Sequence, residues 1–267
     1  MTTDAIETTT RRRVSTPGGR IPLHRLARVE LRKMFDTRSG FWLLASIVIT
    51  SVLANVAIIA FAPNDAVTHG TFATAIGAPM AVILPMIGIL AVTGEWSQRT
   101  GLTTFTLVPH RGRVMLAKFF AALAVGIGAM ILALAVGVIG NLVGAAFAGI
   151  DPVWDVSVTA FLLIVLGSVL GMLFGFMLGV LLRNSAGAIV AYFVYSLVIP
   201  PLLGLLAYFQ EWFADLQPWV DYGSAQGLLF EGSMTSEQWA QLAVSGALWF
   251  ALPLSIGLML VHRAEVK

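Results

Sequence analysis

The chain has 267 residues, of which 58% are hydrophobic and only 11% charged, with a net charge of +2 and no cysteine. Soluble domains carry about 25% charged residues, so the composition excludes an ordinary soluble enzyme. The lack of cysteine excludes disulfides, thiol catalysis and cysteine-ligated metals.

Taken in chain order, residues 1–19 are rich in Thr and Arg, contain Pro17-Gly18-Gly19 and show no apolar period, as expected of a disordered tail. Between residues 21 and 38 the pattern changes. Leu23, Leu26, Ala27, Leu31, Met34 and Phe35 recur at helical spacing, with Arg25, Arg28, Arg32 and Asp36 on the other face, which predicts an amphipathic helix along the membrane surface. Gly40 allows a bend into the first of six long apolar stretches, at about residues 41–62, 72–93, 114–148, 157–182, 185–208 and 238–262. A span needs about 20 residues, so the third stretch should tilt, project beyond the bilayer or break at a glycine. Gly140 and Gly144 in the third stretch, and Gly167, Gly171, Gly175 and Gly179 in the fourth, repeat every fourth position and predict close helix approach. Pro79, Pro85 and the Pro200-Pro201 pair remove backbone donors at membrane depth, making the second and fifth stretches candidates for lining a pathway. Trp42, Trp154, Trp212, Trp219 and Trp239 stand where interfacial anchors are expected. The connection from Gln210 to Glu237 mixes acids with aromatics and predicts short helices that dip into or rest on the outer leaflet.

Charge follows the connections. Fifteen of the 16 Lys and Arg residues fall before the first stretch, in the even-numbered connections or after the last, and Lys118 stands at the start of the third stretch on the same side; the odd-numbered connections carry acids only: Asp65, Asp151 and Asp155, then Glu211, Asp215, Asp221, Glu231 and Glu237. Basic segments stay on the cytoplasmic side during insertion, so both termini should be cytoplasmic.

The interiors of the stretches contain no ionisable residue, and Asn55 and Asn141 supply the only deep amides. A carrier driven by protons or sodium usually needs a titrating or coordinating group at that depth, so the pattern counts against one. No nucleophile elbow, His-Glu-x-x-His pair or phosphate-cradling glycine loop is present, so no catalytic residue is expected. The four histidines lack ligand spacing, so no metal site is expected, and the basic residues beside the spans give no reason to expect nucleic acid.

The second basic connection reads Gly94-Glu95-Trp96-Ser97-Gln98-Arg99-Thr100-Gly101-Leu102-Thr103-Thr104, then Leu107-Val108-Pro109-His110-Arg111-Gly112-Arg113, with Lys118 at the start of the third stretch. Together with Glu30-Leu31-Arg32-Lys33-Met34-Phe35-Asp36-Thr37-Arg38 and the six-span layout, it resembles the permease subunits of type-2 ATP-binding-cassette exporters. In that family an acid follows the second span, a Thr comes several positions later, and a Pro with basic residues leads into the third. The resemblance implies a half-transporter, one of a pair, homodimeric by expectation. It binds no cofactor itself, and two copies of a cytoplasmic ATPase hold ATP and Mg. The ATPases would dock on the interfacial helix, through Arg28 and Arg32, and on a short helix at about residues 95–104, through Glu95, Trp96, Arg99 and Thr100.

The sequence-level reading is therefore an all-α, six-span permease of residues 20–267 in a bacterial plasma membrane. It exports a hydrophobic or amphipathic cargo such as a drug, peptide antibiotic or lipid, and contacts membrane lipids. Met80, Leu84, Met86, Tyr192, Phe193 and Tyr195 are the candidate pathway residues, because they lie on the proline-broken spans. The alternatives are an ATP-independent carrier or channel, and a membrane scaffold or sensor that moves nothing.

Overall fold

The computed structural model describes residues 22–97 and 111–263, so the tail at 1–19 and the stretch from Gln98 to His110 lie outside the described residues. Among the described residues six helices are long and apolar enough to cross a membrane: Gly40–Phe61, His69–Gly94, Gly112–Ala148, Val158–Leu182, Ser185–Phe209 and Ser236–Leu260. The protein is an all-α, multi-pass membrane protein. Among the described residues the only β pairing is an isolated bridge between Thr68 and Val153. One end of the bundle carries the basic connections and the other the acidic ones; they are called here the basic and acidic ends.

Helix α1 (Leu23–Asp36) lies at the basic end. Part of its apolar face is covered by protein, with Leu31 and Met34 against the cluster that contains Met115 and Ile47, while Phe35 stays exposed. Arg25, Arg28 and Arg32 point away from it and are exposed. Thr37 breaks the chain into extended backbone and caps α2 (Arg38–Phe61), its hydroxyl accepting from Gly40 N at 3.2 Å. A side chain at Gly40 would collide with the Met34 carbonyl, so the tight corner needs glycine.

Helix α3 (His69–Ser97) runs through Pro79 and Pro85 without interruption. Helix α4 (Arg111–Ala148) resolves the length of the third apolar stretch: it is one unbroken helix of 38 residues, about 57 Å long at 1.5 Å per residue. It therefore projects beyond a hydrocarbon core of about 30 Å. Two side-chain amides staple it to neighbouring segments. Asn55 Nδ2 donates to the Val136 carbonyl at 2.7 Å, and Asn141 Nδ2 donates to the Val153 carbonyl at 3.0 Å. Gly140 makes room for the Asn55 amide, which a Cβ there would strike.

Helix α5 (Val158–Leu182) is the most enclosed span and packs most tightly on α3. Its glycine ladder divides the bundle in two. Towards the basic end, Gly175 presses on the backbone of Pro85 and Gly179 on Ile89 and Val92. Towards the acidic end, Gly171 faces Gln226, and Gly167 faces Leu229 and Phe230, all from the fifth connection. Close backbone approach is how membrane helices gain contact energy when lipid is as apolar as the side chains.

The fifth span is split at Val198 into α6 (Ser185–Leu197) and α7 (Ile199–Phe209), with Pro200 and Pro201 in the first turn of α7. Proline is accepted there because the first turn has no intrahelical partner for its N–H. Helix α8 (Glu211–Val220) then folds back on α7, followed by α9 (Tyr222–Gly227) and a 3-10 turn, Leu228–Glu231. Helix α10 (Ser236–Gly246), opened by the capping box of Thr235 and Gln238, passes through a π-helical turn, Ala247–Ala251, into α11 (Leu252–Arg263).

Candidate functional site

Two polar centres sit in this apolar bundle. The first is at the basic end. Glu30 of α1 is only 7% exposed and Lys118 of α4 only 3%. Lys118 Nζ donates to Glu30 Oε2 at 2.7 Å and to the Ala91 carbonyl of α3 at 3.2 Å, while Lys33 Nζ donates to Glu30 Oε1 at 2.8 Å. One turn further, Ser185 at the start of α6 donates to Thr93 Oγ1 at 2.8 Å, and Thr93 donates to the Ile89 carbonyl. Residues 91–93 of α3 thus collect bonds from α4 and α6, and through Lys118 from α1. A buried ion pair holds its geometry only when both charges and the remaining donors are matched. Here the carboxylate has two ammonium partners, so α1 is tied to the end of α3 as a rigid part of the bundle.

The second centre is the turn between α8 and α9. Tyr222 stacks on Phe174 with ring centroids 5.6 Å apart, Tyr195 lies 4.4 Å from the same ring, and Trp249 Nε1 donates to the Val220 carbonyl at 2.7 Å. These neighbours fix its depth. Phe174 is about 12 Å from the Leu182 end of α5, Tyr195 about 15 Å from Ser185, and Trp249 about 21 Å from Arg263, at 1.5 Å per residue. Three spans therefore agree that Asp221 and Tyr222 sit near the middle of the apolar slab. The connection returns towards the acidic end along α5: Gln226 Nε2 donates to the Gly167 carbonyl at 2.7 Å, and Gly232 reaches Ala160.

Asp221, 1% exposed, is the carboxylate at the tip of this hairpin. Its Oδ1 accepts from Ser224 N at 3.1 Å, and its Oδ2 accepts from Ser224 Oγ at 2.6 Å and from Gln217 Nε2 at 3.4 Å. All three donors are neutral. Beside it the Tyr195 hydroxyl is buried, with no side-chain partner and the Gly223 backbone as its polar neighbour.

The residues singled out in the sequence fall into distinct places. Arg28 and Arg32 are exposed on α1, whose Leu31 and Met34 pack on the protein. Glu95 and Trp96 fall in the last turn of α3, which runs through Ser97; the rest of the segment expected as a short helix, with Arg99 and Thr100, lies outside the described residues. Met80 and Leu84 are 1% and 0% exposed within the largest core cluster, so they fill the inside of the subunit in this conformation. Met86, Tyr192 and Tyr195 are half-buried together around the second cluster, and Phe193 lies edge-on to Tyr192. The Tyr192 hydroxyl donates to the Ala81 carbonyl at 2.5 Å, the acceptor that lost its intrahelical donor to Pro85. The fifth span thereby satisfies the carbonyl that Pro85 leaves free within the continuous α3.

Glu30, Lys118 and Asp221 carry the polar centres, although the sequence motifs did not single out Glu30 or Asp221. Glu30 carried a signal: at helical spacing it falls on the apolar side of α1 with Leu23, Leu26, Ala27 and Met34. No protein-family model and no curated protein matches the chain.

Proposed function

We propose that the chain is the membrane-spanning permease of an ATP-driven exporter, set in a bacterial plasma membrane with both termini cytoplasmic. It pairs with a second permease, and two copies of a separate cytoplasmic ATPase hold and hydrolyse ATP. The observation that carries this reading is the buried Glu30–Lys118 pair with its bond to Ala91. A surface helix with no mechanical task has no need to be locked by a buried ion pair to two different spans. A helix that receives force from an ATPase does: its exposed Arg25, Arg28 and Arg32 offer a basic face to a partner, while Glu30 on the opposite face passes displacement to α3 and α4. Sorting of all 16 basic residues to one side supports the orientation, and the resemblance in the 94–118 segment supports the transporter class.

The test is purification of the tagged protein from its native membrane in mild detergent, with ATPase activity assayed on the eluate. A co-purifying soluble ATPase is expected, lost when Arg28 and Arg32 are both changed to Ala, and retained but uncoupled from transport when Lys118 is changed to Met. A permease that emerges without any ATPase refutes the reading. Liposome flux without ATP would then indicate a self-sufficient carrier, and no flux a scaffold.

A further inference from the structure

Asp221 poses a charge problem that the rest of the chain does not solve. Every Lys and Arg of the protein lies in a segment at the basic end or beyond it, and among the described residues none pairs with Asp221. An ionisable group at this depth marks a substrate or ion pathway by default, and calls for a named counter-charge. A carboxylate offers about four acceptor positions, and the three donors on Asp221 leave one, on Oδ1. That oxygen and the Tyr195 hydroxyl, whose polar neighbour is the Gly223 backbone, lie beside the same point: a methyl on Gly223 would stand 3.3 Å from the first, 3.3 Å from Pro200 Cγ and 3.7 Å from the second.

The surroundings discriminate among cations. A metal ion such as calcium needs about six oxygen ligands, whereas the surroundings here are aromatic: Phe174 lies 4.4 Å from Tyr195 and 5.6 Å from Tyr222, and Tyr195 lies 5.5 Å from Trp249. Aromatic faces attract weakly hydrated organic cations, and a carboxylate among them adds the charge. The π-helical turn that carries Trp249 is a backbone irregularity of the kind found at functional sites.

We propose that the tip of the α8–α9 hairpin is a binding site for a lipophilic organic cation, with Asp221 as its counter-charge and the rings of Tyr195, Tyr222 and Trp249 as its walls. The site is closed in this conformation. Access requires the α7–α8 hairpin to move: its Leu202, Leu205, Leu206, Trp212 and Leu216 are exposed, while Phe213 is buried and the Val220 carbonyl is held by Trp249. The proposal rests on the exporter reading only in making the cation a cargo; binding itself does not require an ATPase.

Binding is therefore measured on the purified full-length chain in lipid nanodiscs, with tetraphenylphosphonium as the cation and triphenylphosphine oxide as a neutral probe of similar shape. The wild type should bind the cation at least tenfold more tightly than the oxide. Asp221→Asn should lose that tenfold preference while keeping its affinity for the oxide, because Asn caps a helix as well as Asp does. Equal binding of the two probes by the wild type overturns the site without any variant, as does an Asp221→Asn protein that still prefers the cation. A proton in place of the cation as the neutralising charge predicts the first of these outcomes. If cation binding holds but no ATPase co-purifies, the site stands and the exporter reading falls.

Discussion

Glu30 and Asp221 are both buried carboxylates in an apolar bundle, 7% and 1% exposed, and they are satisfied in opposite ways. Glu30 is held between Lys33 and Lys118, contributed by two different helices. Asp221 receives only a backbone amide, a hydroxyl and a side-chain amide, all from its own hairpin. The first arrangement is electrically complete and joins elements far apart in sequence. The second is electrically incomplete and local, which suits a group whose partner comes from outside the chain. A permanently paired charge belongs to structure and force transmission, and an unpaired one to recognition.

The contrast breaks most sharply at Lys118. Replacing it with Ala leaves Glu30 buried with only the half-exposed Lys33, and removing one partner of a buried pair costs about 3–5 kcal/mol. Chemical unfolding in mixed micelles should show a loss near the lower end of that range. Changing both residues, Glu30→Gln with Lys118→Met, should recover most of it, to within about 1 kcal/mol of the wild type, since burial of a neutral pair is nearly costless. A single variant as stable as the wild type would mean that the pair holds nothing together.

At Asp221 the same experiment should give a different order. Asp221→Asn keeps the cap on α9 and should change stability by no more than about 0.5 kcal/mol, whereas Asp221→Ala removes the cap and should cost about 1–2 kcal/mol. If Asn proves as damaging as Ala, the negative charge serves the fold and the contrast with Glu30 disappears.

What the sequence made legible follows from which forces it exposes. The six spans, their order and the break at Pro200-Pro201 could be read from apolar run length and proline position, and the observed ends differ by a few residues at most, whereas the same rule marks a break at Pro79 and Pro85 that the continuous α3 does not show. The glycine ladder of α5 announced close packing but not its partners, because spacing alone cannot say that Gly175 meets Pro85 while Gly167 meets Phe230. Asp221 was placed with the acids of the outer connection by the same charge rule that set the topology. What carries it inwards is the antiparallel pairing of α7 and α8 and the stacking of Tyr222 on Phe174, contacts between residues tens of positions apart. Lys118 looked like a topology signal for a parallel reason. Its burial depends on α1 folding back over α4, which no local pattern records.

Asp155 supplies the intermediate case, a carboxylate bound by neutral donors but left at the surface of the acidic end. Its Oδ1 accepts from Gly70 N at 2.6 Å, at the start of α3, beside the Thr68–Val153 bridge and the contact of His69 with Trp154. Burial works to raise its pKa, but the bonds from Thr68 and Gly70 and the nearby His69 together outweigh it, so the carboxyl titrates below its usual 3.8. A depressed pKa means that the ionised group favours the folded clip above that value, and that the benefit is lost as pH falls through the lower, folded value. The expected effect is the smallest of the three, because the group is exposed and water screens it. The measurement is the difference in melting temperature between the wild type and Asp155→Asn, followed from pH 7 downwards. The wild type should hold a small advantage at neutral pH that closes below about pH 3.8. An advantage that persists in acid would assign the clip to packing of Trp154 on His69, and would leave Glu30 as the one carboxylate among the three whose charge the fold requires.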